Sequence, residues 1–298
     1  MLYLLLAVLC SVLLGFIFKL FARFGVDSFQ AIIFNYFTCV CCGWLHIGHF
    51  PIVAENVNTP WMPYALALGF VFISGFNCAA LTVRYFGVTV SQVMQKMSIL
   101  MTVPFAILVY GESSGWGKIV GFVLALASII LVNWPSVSIG QTAQPRSNDS
   151  KSSDRGFLLW IPLLTWVLAG ILEVLFVRVQ KEQLADVGDP TFICTVFGTA
   201  GTIGLLIASV GWLRGRLVFA WRNVLWGIIL GVPNYGSMLF MLLALDSGLE
   251  GSFVFPVVNV GIIVTTTIGA VWLFQERLSK INWVGIVLAV AAIGLISS

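Results

Sequence analysis

Charge is what this chain has least of. Asp, Glu, Lys and Arg make up 9% of its 298 residues, and hydrophobic residues 59%. A soluble globular domain carries roughly 25% charged residues. A water-soluble fold is excluded at this composition, because far more apolar surface would remain than one domain can bury. The solvent for most of the chain is lipid. The few charges sum to +3 and form no dense basic cluster, which excludes a protein that tracks nucleic-acid phosphates.

Histidine and loop cysteine are scarce too. His46 and His49 are the only histidines, both in HIGHF, where an apolar run gives way to a polar one. An interfacial role is expected of them. Cys10, Cys39, Cys41, Cys42, Cys78 and Cys194 all lie inside apolar runs. No pair of them sits in a loop, so neither a disulfide framework nor a metal site is expected. The trio in CVCC reads as small filler in a membrane helix. Also absent are an H-E-x-x-H pair, a Walker lysine loop and a dinucleotide fingerprint. No cofactor is therefore expected, and any active transport would draw on an ion or substrate gradient. GESSG at 111–115 has the letters of a nucleophile elbow, but it joins two apolar runs instead of a strand and a helix. It reads as a turn, and no catalytic residue is expected. Nothing basic precedes the first apolar run, so that run is expected to remain as a span and not to be cleaved as a signal peptide.

Long apolar runs are what the chain does have. A helix crosses the hydrocarbon core with about 20 mostly apolar residues. Ten stretches qualify: 2–21, 28–48, 61–83, 88–110, 116–134, 157–178, 190–212, 224–245, 252–274 and 281–297. The breaks between them, such as ARFGVD, KEQLADVGDP and QERLSK, carry charge, Gly or Pro. Continuous runs are unlike the short alternating strands of a barrel. The expected fold class is all-α integral membrane, with ten transmembrane helices. The stretch PSVSIGQTAQPRSNDSKSSDR differs: it is polar, Ser-rich and without apolar period, and reads as a linker.

The two sides of this linker resemble each other. Laying the segment from Tyr110 over that from Phe274 places Glu112 on Glu276 and Gly121 on Gly285, a shift of 164 residues with no gap. Val123-Leu124-Ala125 then falls on Val287-Leu288-Ala289, and Gln95 on Asn259. The expected organisation is a five-helix repeat over 1–134, a linker over 135–156 and a second repeat over 157–298. An odd number of spans per repeat sends the second copy into the membrane from the opposite side. Inverted repeats of this kind build secondary transporters, with the site near the midplane.

The polar residues inside the spans are the candidate site. On a helix Ser91, Gln95, Ser98 and Thr102 fall in one arc, widened by Gln92 and Lys96. Ser252, Asn259 and Thr266 form a thinner stripe on the counterpart span. Lys at the centre of a span costs about 2.5–3.5 kcal/mol on insertion scales. Its counterpart at the same shift is Val260, so Lys96 breaks the repeat and points to a substrate rather than the scaffold. Glu173 in VLAGILEVLFVRV is a second intramembrane charge. It could carry a coupling proton, answer Lys96, or pair with Arg178 and Lys181. In GVPNYGSMLF, Gly231, Pro233 and Gly236 suggest a local break presenting Asn234 and Tyr235. The substrate-binding set expected from these patterns is Lys96, Gln92, Gln95, Asn234, Tyr235 and Asn259, with Glu173 as the proton-coupling candidate.

The ten spans in two halves, the short turns with Gly-Glu and Gln-Glu, the Lys19 end of the first span and the small-residue tail resemble the EamA-type drug/metabolite transporter superfamily. The resemblance implies a cavity lined by the first, third and fourth helices of each half. Lys96, Gln92, Gln95, Glu173, Asn234 and Asn259 fall on those helices. Asn35 stands where relatives often have a basic residue in the second helix. The resemblance also implies cytoplasmic termini. The excess of Lys19, Arg23, Arg84, Arg214, Arg216, Arg222, Arg277 and Lys280 over Lys118, Arg178 and Lys181 favours the reverse.

The sequence therefore predicts a multi-pass protein of a bacterial inner membrane. It would be a secondary permease or exporter of a small polar or anionic metabolite, such as an amino acid, working by alternating access. Its partners would be that solute, lipid and a coupling proton, with no nucleic acid and no metal. An intramembrane enzyme, or a non-transporting scaffold or receptor, is the alternative reading, although the spans carry no reactive cluster near a surface.

Overall fold

A computed structural model describes residues 1–52, 54–86, 88–134, 155–182, 190–215, 217–274 and 278–296. Most of the linker, the Asn148 sequon within it, and Glu276 lie outside the described residues. The helices are α1 (Leu2–Phe24), α2 (Ser28–Ile47), α3 (Met62–Phe86), α4 (Val88–Lys96), α5 (Ile99–Tyr110), α6 (Trp116–Val132), α7 (Arg155–Lys181), α8 (Thr191–Leu213), α9 (Trp221–Asp246), α10 (Gly251–Phe274) and α11 (Lys280–Ile296). No strand occurs among the described residues. Among the described residues eight stretches are long and apolar enough to cross a membrane, α4 and α5 counting as one from Val90 to Tyr110. The two others, α6 and α11, are apolar helices of 17 residues, about 25 Å of rise against a core of about 30 Å. Large apolar side chains such as Leu5, Leu108, Trp272 and Val287 are exposed along the helices, as expected where lipid is the solvent.

Local chemistry sets the helix ends. The Asp27 carboxylate accepts the Gln30 amide at 2.8 Å and starts α2. In GESSG, Gly111 takes φ 65°, and its amide closes α5 on the carbonyls of Ala106 and Ile107. A side chain would disfavour that left-handed conformation.

The chain forms two compact units, and each draws on both sides of the linker. One comprises Met1–Ile73 and Leu175–Glu250. In it α2 packs on both α8 and α9, and α1 packs on α9. Helices α2 and α9 run in the same direction. The Asp27 amide donates to Asn223 near their starts, and the Asn234 amide donates to Asn35 further along. They lie close because Gly227 and Gly231 face α2: a Cβ on Gly227 would come 2.5 Å from the Ala31 carbonyl oxygen, and one on Gly231 would meet Thr38. The rings of Tyr36, Phe72, Phe176 and Phe197 fill the core, with Tyr36 stacked on Phe197 at 5.8 Å.

The break expected in GVPNYGSMLF is not found. Helix α9 continues through Pro233 from Trp221 to Asp246. The glycine that suggested a break, Gly231, serves instead to let α2 approach.

The other unit comprises Ser74–Val174 and Gly251–Ser298. Helices α6 and α11 form an antiparallel pair. A Cβ on Gly121 would lie 2.7 Å from the Ile296 side chain, and one on Gly285 would lie 2.6 Å from the Val132 amide nitrogen. Helix α10 packs on α5, α6 and α11. Its first turn is held by Glu112 of the GESSG turn, whose carboxylate accepts the amides of Gly251 at 2.9 Å and Ser252 at 2.7 Å. A carboxylate there satisfies two orphan donors and meets the positive end of the helix dipole. Glu112→Ala is expected to cost about 1–2 kcal/mol, read as a lower melting temperature in detergent. An unchanged melt would mean that the cap contributes nothing.

The fourth span is where the helix breaks. Helix α4 ends at Lys96 and α5 begins at Ile99. Across the gap the ladder tightens from i−4 to i−3 bonds: Ser98 to Gln95 at 3.3 Å, Leu100 to Met97 at 3.0 Å and Met101 to Ser98 at 2.8 Å. The Trp166 indole of α7 donates to the Met97 carbonyl at 2.9 Å. Irregular backbone at membrane depth is tolerated where protein groups satisfy it.

Candidate functional site

The break aims three side chains at one another. The Lys96 ammonium donates to Asn259 Oδ1 of α10 at 3.0 Å. The other end of that amide, Nδ2, donates to Glu173 Oε1 of α7 at 2.9 Å. The same carboxylate accepts Ser98 Oγ at 2.8 Å on Oε1 and Thr102 Oγ1 at 2.6 Å on Oε2. The two charges fix the orientation of the amide. Turned over, it would set NH2 against an ammonium and an oxygen against a carboxylate, leaving both contacts repulsive. Asn259 is thus a neutral bridge between a cation and an anion.

The cluster is satisfied unevenly. Three neutral donors hold Glu173. Lys96 has three N–H groups, and among the described residues Asn259 is its one hydrogen-bond partner. Two ammonium protons are therefore left for another acceptor. Helix α4 supplies Lys96 from its last residue, so the ammonium stands at the end of a short helix beside the break and not midway along a continuous rod.

The remaining expected residues are placed as follows. Gln95 folds back on its own helix, donating to the Ser91 hydroxyl at 3.2 Å and the Ser91 carbonyl at 3.3 Å, while the Ser91 hydroxyl bonds the Ala79 carbonyl of α3. Gln92 and Gln95 are exposed on α4 and do not join the Lys96–Asn259–Glu173 bridge. The single polar arc expected on one helix is divided by the break, which turns Ser98 and Thr102 to Glu173. Thr266 contributes no bond to the cluster, and its buried hydroxyl has no hydrogen-bond partner among the described residues. Arg178 pairs with Glu182 at 3.0 Å, not with Glu173.

Asn234 and Tyr235 belong to the first unit, where both bond to α2. Asn234 donates to Asn35 at 3.1 Å, and the Tyr235 hydroxyl meets His46 Nδ1 at 2.8 Å. His46 thus has a specific partner that its position in HIGHF did not suggest. Cys39 also joins this group, its thiol donating to the Gly231 carbonyl at 3.4 Å. Sequence reasoning also missed Trp166. Its spacing of seven from Glu173 marks a shared face, but nothing in the sequence shows that the indole supports the break.

Residues 1–134 match the EamA-like transporter family. An uncharacterised protein of Haemophilus influenzae is 28% identical over 295 residues, covering 96% of this chain and 94% of its own length. A rat UDP-N-acetylglucosamine transporter is 24% identical over 208 residues, 67% of this chain and 60% of that protein. Its mouse counterpart is 23% identical over 210 residues, with the same coverage. A protein of known crystal structure superposes with a TM-score of 0.73 at 15% identity, over 99% of this chain and 94% of that one, a likeness of fold alone. The chain is a multi-pass membrane protein, and its first 134 residues are similar to the EamA-like transporter family.

Proposed function

We propose that the protein is a secondary transporter of a small anionic or zwitterionic metabolite, with Lys96 as its anchor. The observation that carries this reading is the Lys96 ammonium, placed at a helix break inside a span with two N–H groups unused among the described residues. A carboxylate or phosphate would accept both. The rodent relatives are named for UDP-N-acetylglucosamine, itself an anionic solute, in keeping with a cation at the site. Gln92 and Gln95 on α4 offer further hydrogen bonds. Asn234 and Tyr235 would serve the solute at another stage of the cycle, and Glu173 would carry the coupling proton.

The architecture under this reading is ten spans in two inverted repeats, 1–134 and 157–298, working by alternating access in a bacterial inner membrane. The glycine contacts of α6 and α11 support it. At the 164-residue shift Gly121 falls on Gly285 and Val132 on Ile296. The contact of Gly121 with Ile296 and that of Gly285 with Val132 thus exchange places. Two-fold related copies would produce that exchange.

The test is tracer flux into proteoliposomes, beside a thermal-shift screen of amino acids, sugar phosphates, nucleotide sugars and cationic drugs. A ligand that binds only the folded state raises its stability. An anionic compound is expected to stabilise and enter with the wild type. Lys96→Met should weaken its binding by about 10–100-fold, the 1.5–3 kcal/mol of a hydrogen bond to a charged group. Stabilisation by cations alone, or equal binding by Lys96→Met, would remove Lys96 from the site.

A further inference from the structure

We propose that the anion is carried together with one proton, which Glu173 takes up when the anion takes Lys96, and that Asn259 is the positioning residue linking the two events. This rests on the transporter reading and adds the sense and stoichiometry of its coupling.

Charge balance is the basis. The bridge joins one cation and one anion through a neutral amide. Among the described residues of this unit no other charge reaches the Glu173 carboxylate. The break presents the Ser98 hydroxyl, α5 the Thr102 hydroxyl, α10 the Asn259 amide, and α4 presents Lys96 through that amide. On α6, Lys118 donates to Ser113 at 2.8 Å, and Glu112 is committed to the start of α10. On α7 itself the next basic residue, Arg178, is paired with Glu182. An anion arriving at Lys96 therefore leaves the cluster with one uncompensated negative charge. In a poorly polarisable interior such a charge is strongly unfavourable. One proton delivered to Glu173 by a solvent hydronium restores neutrality. One O–H bond of the hydronium breaks to leave water, one O–H bond forms on the carboxylate, and Lys96 remains an ammonium.

The surroundings of Glu173 suit both states. Ionised, it accepts from Ser98, Thr102 and Asn259. Protonated, it must donate one hydrogen bond, and a serine or threonine hydroxyl can turn from donor to acceptor. No buried group is orphaned by the exchange. Asn259 keeps donating through Nδ2 to the other carboxyl oxygen, and its Oδ1 keeps Lys96 beside the entering anion. Anion and proton thus enter as a neutral pair, whereas a net-neutral zwitterion at Lys96 would need no proton.

Removing the cation imitates its neutralisation, so the premise can be tested without a known substrate. Infrared difference spectra would be taken of the wild type, Lys96→Met and the double variant Lys96→Met with Glu173→Gln, in nanodiscs near neutral pH. The expected result is the C=O stretch of one protonated carboxyl in Lys96→Met, absent from the wild type and from the double variant. Lys96→Gln serves if methionine at this position impairs folding. A carboxylate that stays ionised without Lys96 overturns the proposal. Where L-glutamate is carried, an inward acid gradient of one pH unit should raise its accumulation by about tenfold, with no such gain in Glu173→Gln. Accumulation indifferent to the gradient also overturns the proposal. If the carboxyl band is found but no tracer moves, the transporter reading fails and the charge linkage stands. If solute moves and the band is missing, the reverse holds.

Discussion

Glu173→Leu is expected to lower the melting temperature in detergent by roughly 6–12 °C, corresponding to a loss on the order of 3 kcal/mol. The substitution leaves Lys96 without its counter-charge and frees the Ser98, Thr102 and Asn259 donors at once. Thr102 can fall back on the Ser98 carbonyl, which its hydroxyl already meets at 3.3 Å. Lys96 has no such alternative among the described residues. Glu173→Gln also removes the counter-charge but keeps one acceptor oxygen and the side-chain shape, so its loss should be smaller than that of Leu by about 1 kcal/mol. A separation between Leu and Gln is the diagnostic. If both variants melt with the wild type, the carboxylate is not holding α5, α7 and α10 together, and the cluster has another purpose.

Gly285→Leu is expected to have the larger effect of the two, preventing accumulation of folded protein. The new Cβ would stand 2.6 Å from the Val132 amide nitrogen and 2.9 Å from the Leu131 carbonyl carbon. These are backbone atoms and cannot rotate away, so α6 and α11 must separate. Overpacking of a tight core costs about 1–3 kcal/mol, occasionally more. Here the cost includes the bonds by which the Asn282 amide holds the end of α6, to the Val132 carbonyl at 2.8 Å and the Trp134 carbonyl at 2.9 Å. Gly294→Leu is the control on the same helix, since a Cβ there meets nothing within 4 Å. Its yield and monodispersity in size-exclusion chromatography should match the wild type. Equal behaviour of the two variants would show that the α6–α11 contact is not what the packing implies.

Much of the fold was legible because lipid imposes simple demands. A span must be apolar for about 20 residues and must satisfy its own backbone, so the fold among the described residues is all-helical, with eight stretches long and apolar enough to span. Length could not decide that α6 stops after 17 residues at Val132, because helix ends depend on turns and caps. Breaks were read less well. Gly and Pro in GVPNYGSMLF suggested one, but glycine also permits close approach, and Gly231 faces α2. The break that exists, between Lys96 and Ile99, has no Gly or Pro at the point of interruption. It is held by Trp166 and Glu173, 69 and 75 residues further along the chain from the groups they meet.

The candidate site divides along the same line. Lys96, Glu173 and Asn259 stood out in the sequence because polar groups in hydrocarbon are costly and need a reason. Which of them meet was not legible. The periodicity of one helix grouped Gln92 and Gln95 with Lys96, yet Gln95 folds back on Ser91 while Asn259, 163 residues away, takes the ammonium. Asn234 and Tyr235 were correctly seen as polar residues in a span, but they bond to Asn35 and His46.

The sequence by itself determined the solvent, the helices, the approximate spans and the short roll of residues too polar to be there by accident. These follow from transfer energies and helical period, which are local properties. Only the tertiary structure decided where the fourth span breaks, that Glu112 anchors α10, and that a neutral amide joins the single lysine to the single glutamate of the cluster. Those are encounters between distant segments, and hydrogen bonds hold them only at separations that packing alone can set.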